Sequence, residues 1–281
     1  MIVIALPWLL IFPALLLILD GRWLKAGFWL FAMGYLAALA VDQMDWSALA
    51  AIPVLGLAGI AVPERRPAAI KAAGVLLFLL AATALRAHII PGFRNPLVFD
   101  AQVSAAAARY RMYLNLDKAL IIAWVVYAWK RVTWSRNCQQ SLWNGLAVGL
   151  ITATTCIFSG WVLGLVEWDP KWPPGAWIWV INNLVLVSLG EELFFRGFIQ
   201  SGLERLWEDW RYGAVAALWV SAVLFGISHW SGGLAYAAVA VLAGLGYGIA
   251  YKRGGLQAAV LAHSVLNLVH FSLFTYPAIQ R

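Results

Sequence analysis

Charge is what this sequence lacks most. Only 12% of its 281 residues are Asp, Glu, Lys or Arg, about half the roughly 25% of a soluble domain. Hydrophobic residues make up 63%, and the mean hydropathy is +0.79. That balance excludes a water-soluble enzyme, a nucleic-acid-binding domain and a disordered chain. Cysteine is nearly absent as well. Cys138 and Cys156 lie in different segments without metal-ligand spacing, so neither a disulfide framework nor a thiolate metal site is supported. The chain has no HExxH and no GxSxG, which speaks against a zincin helix and a nucleophile-elbow serine. The N-terminal run has no basic segment before it and no small-residue cleavage site after it, and it reads as a retained first span.

Long apolar runs are what the chain has in abundance, together with 17 Trp and 9 Tyr, whose rings collect where hydrocarbon meets water. A crossing helix needs about 20 apolar residues, within a range of about 17–25. Ten stretches approach this: 2–19, 26–41, 47–62, 70–90, 117–130, 142–165, 177–200, 212–230, 234–251 and 256–275. Lipid cannot satisfy the backbone of an open sheet, so each span is expected to be a helix. The expected fold is an all-α polytopic transmembrane bundle of about 8–10 spans.

The formal net charge is +7. The basic residues cluster between apolar runs, where they act as topology determinants, and no nucleic-acid partner is implied. With the N-terminus outside, twelve Lys and Arg fall in inward loops and seven in outward ones, with Arg196 inside a span. In the connection 91–116, the alanine-rich stretch 102–109 reads either as an interfacial helix lying on the membrane or as a loop. The segment 167–177, with Pro170, Pro173 and Pro174, reads as a rigid interfacial turn.

An ionisable group inside a span is costly unless it is paired or lines a cavity, so it marks a candidate site. The C-terminal third concentrates such groups: Glu191, Glu192 and Arg196 in span seven, His229 in span eight, and His263, Asn267 and His270 in span ten. Glu192 and Arg196 are four apart, on one helix face, and can pair. Glu191 is turned by about 100° from Glu192 and faces elsewhere. Phe225 lies over His229, and His263 over Asn267, at the same spacing. Helix rises leave one tension: with span eight starting at Tyr212, His229 comes out deeper than Glu191 and His263, yet the groups are expected to converge. A carboxylate, an imidazole, and an imidazole with an amide suit peptide-bond hydrolysis. The first can take a proton from water, and the others can assist the transfer and stabilise the oxyanion. Each feature also has a plain structural reading: an i,i+4 anchor pair for Glu192 and Arg196, and interhelical hydrogen bonding for the histidines. His88 and His270 read as structural or interfacial.

Taken in order, Glu191-Glu192-Leu193-Phe194-Phe195-Arg196, Phe225-Gly226-Ile227-Ser228-His229 and His263-Ser264-Val265-Leu266-Asn267 resemble the EExxxR, FxxxH and HxxxN motifs of the CPBP family. This is the family of CAAX-processing and bacteriocin-processing (Abi-like) intramembrane endopeptidases, also called type II CAAX proteases. Gly244, Gly246 and Gly248 followed by Tyr251 to Gly255 add to the likeness. The resemblance covers about 117–275. It implies a protease core at 116–281 behind an N-terminal transmembrane extension at 1–115.

What it implies further is an enzyme of the bacterial inner membrane that cuts a membrane-associated or C-terminal-tail peptide substrate, with the lipid bilayer as its surroundings. By carry-over, Glu191 and His229 activate the water, His263 and Asn267 hold the oxyanion, and Glu192, Arg196 and Phe225 support them. Metal dependence stays open. Glu191 or Glu192 with His229 and His263 is a sufficient zinc set, yet the same groups suffice for glutamic-type catalysis without a cofactor. The glutamic reading is favoured, because Glu191 cannot be both ligand and base and Glu192 has Arg196 as a competing partner. Two rivals remain: a proton-coupled transporter or channel using the same groups as a relay, and a non-catalytic membrane scaffold or immunity protein of the same fold.

Overall fold

The computed structural model describes residues 2–129, 132 and 137–280. It is an all-α polytopic bundle of nine helices among the described residues, with five of them long and apolar enough to cross a membrane. By compactness the chain falls into two units, residues 1–97 with 113–130 and residues 98–112 with 131–281. The helix Leu116–Ala128 groups with the N-terminal helices.

The N-terminal unit contains α1 (Ile2–Leu19), α2 (Leu24–Ala40), α3 (Ala51–Ala61), α4 (Ala68–Arg86) and α5 (Leu116–Ala128). The expected third span is a turn of 3-10 helix, Trp46–Ala50, followed by only 11 residues of α3. Helix α1 packs on α2, α3 packs on α4, and α5 packs on α1, α3 and α4. Its buried polar groups find partners: Asp117, fully buried, meets His88 and Asn95. His88 is structural in this sense.

The C-terminal unit contains α6 (Cys138–Val162), α7 (Ala176–Leu206), α8 (Gly213–Ile227) and α9 (Leu234–Leu273). Straight, the 40 residues of α9 would extend about 60 Å, twice the roughly 30 Å hydrocarbon core. They are not straight. Gly255, at φ 71° and ψ −164°, breaks the helix in a conformation that only glycine adopts readily. The halves correspond to the expected spans nine and ten. The break frees carbonyls that α6 then bonds: Ser141 donates to Gly254 O and Asn144 to Arg253 O. Helix α6 lies so close to the second half of α9 that a Cβ on Gly149 would stand 2.8 Å from Ala262 Cα.

Of the two readings of 102–109, the structure has the loop and not the interfacial helix. Residues 98–112 belong to a two-stranded sheet, β1 (Leu97–Ala101) and β2 (Tyr110–Tyr113), with the alanines in its connection. The flanks explain this. Phe99 and Met112 turn inward to a cluster with Trp179 and Phe271, while Asp100 faces Arg109 and Arg111 on the outside. That alternation has the period of a strand. The 167–177 segment is pinned as expected of a rigid turn: Asp169 N donates to Leu273 O and Lys171 N to Ser272 O.

Candidate active site

Helix α7 carries the first motif, and it is not a regular α-helix. Asn183–Ser188 and Leu193–Gln200 are wound as π-helix, with Leu189–Glu192 between them. Such widened turns recur at functional sites because they re-aim side chains. Despite the widening, Glu192 and Arg196 pair: Arg196 Nε stands 3.2 Å from Glu192 Oε2, and both side chains are fully buried. Arg196 also donates to Gly244 O at 2.7 Å, and its guanidinium lies 4.8 Å from the Phe225 ring and 5.4 Å from the Tyr247 ring. Charge, carbonyl and aromatic faces together replace the water that the cation loses on burial.

The second oxygen of that carboxylate is also engaged. His263 Nδ1 lies 2.8 Å from Glu192 Oε1. An ionised carboxylate only accepts, so Nδ1–H donates and Nε2 remains for another partner. Tyr247 stacks on the His263 ring, centroids 4.4 Å apart, and Phe225 meets it edge-on at 5.9 Å. The imidazole is thereby fixed on three sides.

His229 does not lie within its span. Helix α8 ends at Ile227, and His229 sits in the turn that follows. Its Nδ1 is 2.8 Å from Phe225 O, and the two rings are 4.6 Å apart, so the i,i+4 relation holds across the helix end. The histidine thus comes from the connection to α9 and not from the body of α8.

His229, His263 and Asn267 line one cavity of about 80 Å³, whose walls include Phe225, Tyr236 and Tyr247. A cavity of that volume has room for several waters. Asn267 Nδ2 donates to Asn183 Oδ1 at 3.2 Å, which leaves its second N–H for the cavity. Glu191 is half-buried, with Oε2 fully enclosed. It does not line the cavity itself, but its charge acts on Arg196 and on the wall residues Tyr236 and Tyr247. Glu192 and Arg196 form the layer behind His263. His270 lines the far end, with Nε2 3.1 Å from Thr275 O.

The zinc alternative requires Glu191 or Glu192 with His229 and His263. Among the described residues no three His, Cys, Asp or Glu side chains stand close enough to hold a metal ion, and Glu192 Oε1 already meets both Arg196 and His263.

Tyr247, Asn183 and Tyr236 were not among the expected site residues. Asn183 had a readable signal. It follows Asn182 inside an apolar run, and an amide in a span requires a partner just as a charge does. Tyr247 had none beyond its place among three glycines.

Residues 171–269 match the family described as Type II CAAX prenyl endopeptidase Rce1-like. The match spans all three motifs and supports the CPBP/CAAX protease resemblance read from them. It stands for a CAAX-type intramembrane endopeptidase in general. No curated protein and no solved structure matches the chain.

Proposed function

We propose that this chain is a glutamic-type intramembrane endopeptidase. It hydrolyses a peptide bond in a membrane-associated or C-terminal-tail substrate, and it resides in a bacterial inner membrane. The observation that carries the reading is that His229, from the turn before α9, and His263 and Asn267, one turn apart on α9, face one small cavity backed by the bond from Glu192 of α7 to His263.

The division of labour follows the motifs. Glu192 is held by Arg196 and His263 and orients the imidazole. Water activation is assigned, by the EExxxR and FxxxH resemblance, to Glu191 assisted by His229. In the first step Glu191 takes a proton from water while the oxygen adds to the scissile carbonyl carbon. The carbonyl oxygen becomes an oxyanion, met by Asn267 Nδ2–H and by His263, whose ring Glu192 orients. The proton then passes to the amide nitrogen as the C–N bond breaks, giving a carboxylate end and an amine end.

The test is Glu191→Gln in the full chain in membranes, assayed on a prenylated peptide carrying a CAAX-type C-terminus and, in parallel, by comparing uncut membrane proteins in cells with and without the chain. The expected result is loss of cleavage with unchanged thermal unfolding. A variant that keeps its cellular effect supports the scaffold reading instead. Exhaustive chelation is the second arm: activity survives it on the glutamic reading, whereas loss that added zinc restores reverses the choice.

A further inference from the structure

We propose that the N-terminal unit holds a binding site for an anionic phospholipid, in the groove between α2, α3 and α5, with Arg65 as the headgroup ligand. The groove lies wholly within that unit and has a volume of about 940 Å³, near the top of the roughly 300–1,000 Å³ of ligand sites. Its length follows the helices. Leu39 and Trp46 stand toward one end, Ile52 and Gly56 in the middle, and Tyr127 and Arg65 toward the other.

Three features point to an amphiphile with an anionic head. First, polar atoms along the wall are engaged by protein: Tyr35 donates its hydroxyl to Leu116 O at 2.5 Å, and Trp124 donates its indole N–H to Leu55 O at 2.8 Å. The groove therefore offers apolar surface along its length.

Second, Arg65 is the one charged residue that lines it. It is exposed, and among the described residues it has no ion-pair or hydrogen-bond partner. The short α3–α4 connection and the start of α4 carry Arg65, Arg66 and Lys71 against the single acid Glu64, and Arg66 is bonded to Ile60 O at 3.2 Å. The site's positive charge is thus concentrated where the apolar groove ends, as a phosphate on an acyl chain requires.

Third, a Cβ placed on Gly56 would meet nothing within 4 Å. Glycine inside a helix weakens it relative to alanine, and here no protein neighbour demands the gap. The space is open to an occupant. A neutral lipid or a passing helix would fill the apolar length and leave Arg65 unanswered, whereas an anionic phospholipid answers both.

The experiment uses the full chain in detergent, exchanged into phosphatidylglycerol or phosphatidylcholine and read by native mass spectrometry. The expected result is retained phosphatidylglycerol adducts on the unaltered chain. Gly56→Phe, whose Cβ has open space around it, abolishes them, and Arg65→Gln weakens them about fivefold, the factor that one juxtamembrane cation contributes. Phosphatidylcholine adducts are weaker and indifferent to Arg65→Gln. A photo-crosslinker at the groove residue Ile52 is expected to add the mass of one phospholipid. Equal retention of both lipids, no effect of Arg65→Gln, or a crosslink to a second copy or another protein overturns the proposal. Arg65 is exposed, so its variant reports even where Gly56→Phe fails to fold.

Discussion

The imidazole of His263 lies flat against the ring of Tyr247, centroids 4.4 Å apart and planes 11° from parallel. With Glu192 gripping Nδ1, this leaves the ring no freedom to turn Nε2 away from the cavity. Stacking of this kind contributes about 0.5–1.5 kcal/mol beyond area burial. Tyr247→Phe keeps the stack and is expected to keep most of the activity, while Tyr247→Leu is expected to lower kcat about two- to tenfold with KM little changed. Single-substrate kinetics of the two variants decide it. Equal losses in both would show that the hydroxyl and not the ring matters.

The Glu192–Arg196 pair is fully buried, and removing one partner of such a pair costs about 3–5 kcal/mol because the other charge is stranded. Arg196→Met and Glu192→Met are each expected to lower the thermal unfolding temperature in detergent strongly. The double variant recovers much of that stability, since apolar groups replace both charges, yet it stays inactive because His263 has lost the acceptor that orients it. A double variant with restored activity would show that the pair is structural only.

These two relationships mark how far the sequence could be read. Glu192 with Arg196 and Phe225 with His229 were legible because i,i+4 spacing on a helix is local geometry, and it survives even the π-widening of α7 and the end of α8. Glu192 with His263 spans 71 positions and depends on how α7 packs against α9, which no local pattern encodes. The π-turns themselves left no signal. The long α9 was readable as two spans because Lys252, Arg253, Gly254 and Gly255 fall between them. The sheet at 97–113 was missed for a physical reason. Alanine is the strongest helix former, and a run of it outweighed the weaker alternation at Phe99 and Met112.

Asn183 extends the site by one step behind Asn267. It accepts from Asn267 Nδ2 at 3.2 Å and is itself 3.3 Å from Ser188 Oγ, so the amide proposed to meet the oxyanion is aimed by a second amide. One such hydrogen bond is worth about 0.5–1.5 kcal/mol. Asn183→Ala is accordingly expected to lower kcat about two- to tenfold, with no further loss when combined with Asn267→Ala. Additive losses in the double variant would separate the two residues.

Outside the spans, Asp169 links pH to the anchorage of the end of α9. Ser104 bonds its carboxyl group, and Lys171 lies 3.2 Å away. Ser104 first, and Lys171 after it, hold it below the ordinary carboxylate value of 3.8 against the opposing effect of burial. A group whose folded pKa is depressed contributes stability that is complete above its unfolded value and fades as the pH falls through the folded one. The contribution is therefore full at neutral pH and lost below about pH 3.8. The carboxylate is largely exposed, so the effect stays within about 1 kcal/mol. Hydrogen exchange, corrected for intrinsic rates, is expected to accelerate at the Asp169, Lys171 and Thr275 amides as the pH drops below that point, since these three bond the backbone of 272, 273 and 167. Asp169→Asn should show the faster exchange already at neutral pH and lose most of the acid dependence. An unchanged acid response in that variant would assign the loosening to another group.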